Sequence, residues 1–196
     1  MSKCFFVLAS CFILSIPLTA QSIQSAEGRG ISVLVGASFS TFNPDYGCRH
    51  NSPFACWDGQ LMGISPYVST NAFLFQRIGA EAQARFLQWH GPGNLTEDTY
   101  MAGPRVKIFR HQRVAFSGKF LIGVGRLNVT NGFGTGTYLA FAPGGLVDYA
   151  VSRRLFARFD YEYQFWPTFE GSATGSGHGG LTPNGLSFGI SYVLKR

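Results

Sequence analysis

The sequence predicts an all-β chain, an eight-stranded antiparallel transmembrane β-barrel with short periplasmic turns and long outer loops. Three observations predict it. Extended runs of strong β-propensity or period-2 alternation recur eight times after the N-terminal segment. The intervals between them are alternately long and short, as in barrels whose turns on one side of a membrane are tight and whose loops on the other are not. No span carries the apolar period of a helix, and nothing beyond the first residues approaches the length of a membrane-spanning one. High Phe, Tyr and Gly content with only 13% charged residues fits strands joined by turns.

The first segment, "MSKCFFVLASCFILSIPLTAQS", has a charge at Lys3, an apolar run to about Leu18 and a small residue at Ala20. That is the layout of a secretory signal peptide, expected to occupy residues 1–20. "LASC" looks like a lipoprotein box, but few apolar residues precede it and another apolar run follows, which does not suit lipidation. A short segment, 21–29, then leads into a barrel over 30–196. Cys48 and Cys56 are the only cysteines outside the signal, and two cysteines in one loop of an exported chain predict a disulfide. Formal charge is +6, but the basic residues are dispersed among acids and at strand ends, unlike the patch of a nucleic-acid binder.

The strands are expected near 31–42, 61–70, 78–87, 100–109, 114–124, 138–151, 155–166 and 186–194. In the first, Ile31, Val33, Val35, Ala37 and Phe39 alternate with Ser32, Gly36, Ser38 and Ser40. The second is a β-prone run interrupted by Pro66. In the third, Ala80, Ala82, Ala84 and Phe86 alternate with Glu81, Gln83 and Arg85. The fourth carries Arg105 and Lys107 beside Pro104. In the fifth, Phe116, Phe120, Ile122 and Val124 alternate with Ser117, Lys119, Gly123 and Gly125. The sixth contains Pro143. In the seventh, Ala157, Phe159, Tyr161, Tyr163 and Phe165 alternate with Arg158, Asp160, Glu162 and Gln164, and the eighth closes the set. Because a closed barrel has no free edge, a bulge or strand end is expected at each proline.

One face of these strands is large and apolar, the other small, polar or charged. Periodicity alone would also allow a soluble lipocalin-like barrel with its apolar face inside. An eight-stranded barrel, however, has an interior only wide enough for side chains to fill it. Glu81, Arg85, Arg105, Lys107, Lys119, Arg158, Asp160 and Glu162 are therefore predicted to form a neutralised interior network. The aromatic face would meet lipid, with Trp89, Tyr161, Tyr163, Trp166 and Tyr192 near the girdles. Charges divide with the loops. Arg29, Arg77, Arg110, Arg113, Arg153, Arg154, Lys195 and Arg196 lie on the short-turn side with Glu27, whereas Asp45, Asp58, Glu97, Asp98 and Glu170 are assigned to the long loops against Arg49. Basic residues beside an anionic inner-leaflet surface are favourable.

At "GGLVDYAVSRRLFARFDYEY" and "GLTPNGLSFGISYVL" the chain resembles the eight-stranded bacterial outer-membrane barrels that include the barrel domains of OmpA and OmpX. Gly144, Gly145, Asp148, Tyr149, Ser152, Arg154, Arg158, Asp160 and Tyr163 carry the likeness over the last third. It implies an outer-membrane location and the barrel fold. The chain ends Leu194, Lys195, Arg196 instead of on the usual terminal aromatic, and no peptidoglycan-binding domain follows the barrel.

His50, His90 and His178 fall in three long loops, with Asp45, Asp58, Glu97 and Ser176 near in sequence. A lipid-modifying barrel enzyme could use a His, a Ser and a carboxylate, but no spacing fixes their geometry and a scatter of loop residues accounts for them better. No pair has metal-ligand spacing. "NGFGTGTY" and "GSGHGG" are turns, since no helix follows to make a phosphate cradle. The expectation is a non-enzymatic, monomeric barrel without cofactor or metal, in contact with outer-membrane lipid and lipopolysaccharide and with an extracellular loop partner that the sequence does not identify. A lipid-modifying enzyme and a soluble lipocalin-like carrier are the alternatives.

Overall fold

The computed structural model describes residues 31–44, 60–71, 77–89, 95–129, 134–169 and 180–195. The expected signal segment, 1–20, and both Cys48 and Cys56 lie outside these residues, as do His50, His90 and His178. Eight strands follow in chain order: β1 Ser32–Asn43, β2 Leu61–Asn71, β3 Ile78–Trp89, β4 Thr96–His111, β5 Val114–Val129, β6 Gly134–Ala150, β7 Leu155–Tyr163 and β8 Asn184–Lys195. Each pairs antiparallel with its neighbours, and β1 pairs with β8 to close the barrel. Closure pairs both strand edges, so the backbone hydrogen bonds a membrane interior could not supply are made within the sheet.

The alternation of the sequence becomes an inside and an outside. Phe39, Ile64, Val68, Phe116, Phe120, Ile122, Val124, Phe159, Tyr161, Phe188 and Ile190 all face outward and are exposed. Buried between the strands are Ser38, Ser40, Ser65, Ser69, Glu81, Arg85, Lys119, Arg158, Asp160 and Glu162. A soluble barrel would reverse this arrangement, so the lipocalin-like alternative is set aside.

Three details differ from expectation. No proline marks a bulge or the end of its own strand, although β7 ends at Tyr163, opposite Pro143. Pro66 lies opposite Ala37, Pro104 opposite Ala80 and Pro143 opposite Phe120, all in continuous register. Across the other edge of each, the ladder is interrupted: β2–β3 passes from Ile64 opposite Phe86 to Tyr67 opposite Gln83, and β4–β5 from Ala102 opposite Ile122 to Arg105 opposite Lys119. On the β6–β7 side, pairing breaks between Gly144 opposite Glu162 and the isolated bridge of Phe141 with Phe165. A strand residue directs its N–H to one neighbour only, so a missing donor interrupts one ladder and leaves the other in register. The register shifts occur instead at Val33/Leu34, Met62/Gly63 and Lys107/Phe109.

Second, β4 begins at Thr96, so Glu97 and Asp98 belong to a strand and not to a loop. Third, Trp166 is fully buried instead of lying in a lipid-facing girdle. Its parity continues Arg158, Asp160, Glu162 and Gln164, which point inward, and a bridge to Leu181 holds it at the head of the barrel. Trp89, Tyr161, Tyr163 and Tyr192 do face outward.

Candidate functional site

The interior is organised by side-chain length. The inner faces of β1, β2 and β8 present serines: Ser38, Ser40, Ser65, Ser69, Ser187 and Ser191. The long cations come from the other strands, Arg85 from β3, Arg105 from β4, Lys119 from β5 and Arg158 from β7. Short side chains on one side leave space for long ones reaching from the other.

Four cations meet four acids. Arg85 Nη1 donates to Glu162 Oε1 at 2.8 Å. Arg158 Nη1 donates to Glu81 Oε2 and its Nε to Asp148 Oδ1, both at 2.9 Å. Arg105 pairs with Asp148 and lies 3.6 Å from Glu81. Lys119 Nζ stands among Glu81 at 3.3 Å, Glu162 at 3.0 Å and Asp160. Ser65 Oγ accepts from Arg85 Nε, Ser69 Oγ from Arg105 Nη1 and Gln83 Oε1 from Lys119, each at 3.2 Å. The Arg85 guanidinium sits 3.9 Å from the Phe42 ring centre and that of Arg158 4.1 Å from Tyr67. Ion pairs this enclosed need such further hydrogen bonds, because water no longer solvates the charges.

Seven of the eight residues named from sequence thus converge. Lys107 differs, being only half-buried beside the register shift at Lys107/Phe109. Asp148 is absent from the expected set although it bridges two arginines. Its parity with the buried Leu146 on β6 is the sequence signal that could have found it.

Toward the long-loop end the lining becomes apolar. Phe42, Leu61, Leu87, Leu95, Leu127, Trp166, Phe169 and Leu181 pack together there. Trp166 fits because Gly125 faces it: a Cβ on Gly125 would lie 2.3 Å from the indole ring. The indole Nε1 donates to Gln164 Oε1 at 2.8 Å, and Gln164 Nε2 donates to Glu162 Oε1 at 3.0 Å, joining this layer to the ion pairs. Within the layer Glu97 is an exception. It is wholly buried with both carboxylate oxygens lacking hydrogen-bond partners, opposite Leu87 and Leu127. No group of His, Cys, Asp and Glu suited to a metal ion occurs among the described residues.

A closed antiparallel barrel of eight strands, apolar outside and ion-paired within, is the architecture of the outer-membrane β-barrels. Solved structures that share the fold include the following two. Neisserial surface protein A is 12% identical, with a TM-score of 0.53 over 83% of this chain and 96% of that one. The outer membrane protein OprG from Pseudomonas aeruginosa is 10% identical, with a TM-score of 0.57 over 84% and 96%. No family model matches the chain, and no curated protein matches it in sequence. The chain therefore has the fold of the eight-stranded outer-membrane barrels.

Proposed function

We propose that this barrel is a non-enzymatic outer-membrane protein that acts through its outer loops, with a structural or surface-interaction role, and is not a general diffusion porin. The observation that carries the reading is the filled lumen. Arg85, Arg105, Lys119 and Arg158 reach carboxylates inside it, and the apolar layer around Trp166 lies between them and the outer end. A solute the size of a sugar would have to separate several buried ion pairs and displace the indole. Activity then falls to the outer end, where the β1–β2 and β7–β8 connections, 44–60 and 164–183, are longer than joining strands requires. The purified protein in planar bilayers is expected to give no large, steady conductance. Deleting residues 171–179 should leave membrane insertion intact and change only contacts made at the cell surface. Stable porin-like channels from the intact chain would overturn the proposal.

A further inference from the structure

The short-turn end carries cations for which the interior has no use. Arg77 precedes β3, Arg110, His111 and Arg113 surround the β4–β5 turn, and Arg153 and Arg154 form the β6–β7 turn; all are exposed. The acids among the described residues are Glu81, Glu97, Asp98, Asp148, Asp160 and Glu162, and every one except Asp98 is buried in the barrel. Asp98 lies at the opposite end, paired in register with Phe86 and Arg126. Arg77, Arg110, Arg113 and Arg154 therefore face solvent with no exposed carboxylate at their own end among the described residues.

Apolar side chains border them directly. Ile108, Phe109, Phe116, Tyr149 and Tyr192 are exposed on the strand ends just above the turns. Phe109 stacks on His111, with ring centres 6.2 Å apart and planes within 6°, and Arg154 Nη1 donates to the Tyr192 hydroxyl at 3.3 Å. On its β3 side the β4–β5 hairpin projects: the β3–β4 register ends at Val106, with Lys107 N donating to Arg77 O, while β4 and β5 stay paired to His111 opposite Val114.

We propose that this belt binds the headgroups of anionic phospholipids in the periplasmic leaflet. It depends on the membrane orientation and not on the role of the outer loops. A guanidinium offers a fork of donors that matches phosphate oxygens, and the neighbouring rings and aliphatic side chains accept the acyl chains of the same lipid. Charge complementarity selects the class. A zwitterionic lipid brings a cationic amine into a cluster of arginines, whereas a net-negative headgroup brings only acceptors. The belt is continuous with the lipid-facing wall, so its occupant need not approach from solution.

The test is to fold the full chain into vesicles of mixed phosphatidylethanolamine and phosphatidylglycerol, extract it in mild detergent and quantify the retained lipid. Retained phosphatidylglycerol should exceed its bulk ratio by about five-fold or more, the factor that follows from roughly 1 kcal/mol per basic side chain. Substituting Arg110, Arg113, Arg153 and Arg154 together by Gln should return the ratio to bulk, while Arg126→Gln at the other end should leave it unchanged. If the quadruple variant does not fold, Arg110→Gln with Arg113→Gln must lower the enrichment. A bulk ratio in the unaltered protein, or one that ignores these arginines, overturns the proposal. So does binding of the vesicle-embedded barrel to isolated cell-wall sacculi through the same arginines while the lipid ratio stays at bulk.

Discussion

Arg158 and Phe159 are adjacent in the chain and oppose each other in environment. Arg158 is buried between Glu81 and Asp148, whereas Phe159 is 46% exposed on the lipid side, opposite Phe188. Arg158→Leu leaves two carboxylates short of a counter-charge and should cost about 3 to 5 kcal/mol. Phe159→Arg should cost about 2 to 4 kcal/mol if its depth is near the midplane, for the unrelated reason that a charge enters lipid. Denaturant unfolding of both variants in the same detergent checks the pair, and a stabilised Arg158→Leu would contradict the interior assignment. Glu97 predicts the reverse sign. Its carboxylate has no hydrogen-bond partner and its register neighbours are Leu87 and Leu127, so Glu97→Leu should stabilise by about 1 to 3 kcal/mol in the same assay. Parity along a strand makes the inward direction of Arg158 and Asp160 legible in the sequence. Parity also points Trp166 inward, but the preference of tryptophan for membrane interfaces suggests a girdle, and residue type is the weaker guide.

At the scale of strands, the eight extended runs give the count and order correctly, but the expected alternation of long and short intervals does not hold throughout: 90–95 and 130–133 are no longer than the turns 72–77 and 151–154, because β4, β5 and β6 extend into the segments expected to be loops. Ends are less legible. The residues 95–99, "LTEDT", combine two acids with little β-propensity and read as loop, yet they pair with β3 and β5 through Glu97 opposite Leu87 and Leu127. Pairing partners on both sides supply what local propensity lacks. The prolines mislead for a similar reason, since the cost of a missing donor depends on which neighbour it would have faced. An element-level test uses the approach of β5 to the head of the barrel. Gly125→Val would force the Trp166 indole from its seat, and a shift in tryptophan fluorescence together with a loss of about 1 to 3 kcal/mol in stability is expected. An unchanged spectrum would mean that the indole does not depend on that glycine.

For the molecule as a whole, the division of serines and long cations between the two halves of the wall is not legible from any one strand. It emerges only once the order of strands around the barrel is known, because complementarity in length is a relation across the lumen. The same is true of the ion pairs. Glu81 and Arg158 are 77 positions apart, and nothing local links them.

The seam between β1 and β8 has a consequence for how such a chain can be made. Ser40 is hydrogen-bonded to Ser65 on one side and to Ser187 on the other, both at 2.7 Å, and the second contact joins residues 147 positions apart. A chain emerging from its N-terminus must hold one edge of β1 unpaired until nearly the entire sequence has followed. Contacts of such separation slow folding, and an unpaired edge is a template for other chains. A nascent barrel of this kind therefore depends on escort: something must shield that first edge through the delay between the synthesis of β1 and the arrival of its last partner.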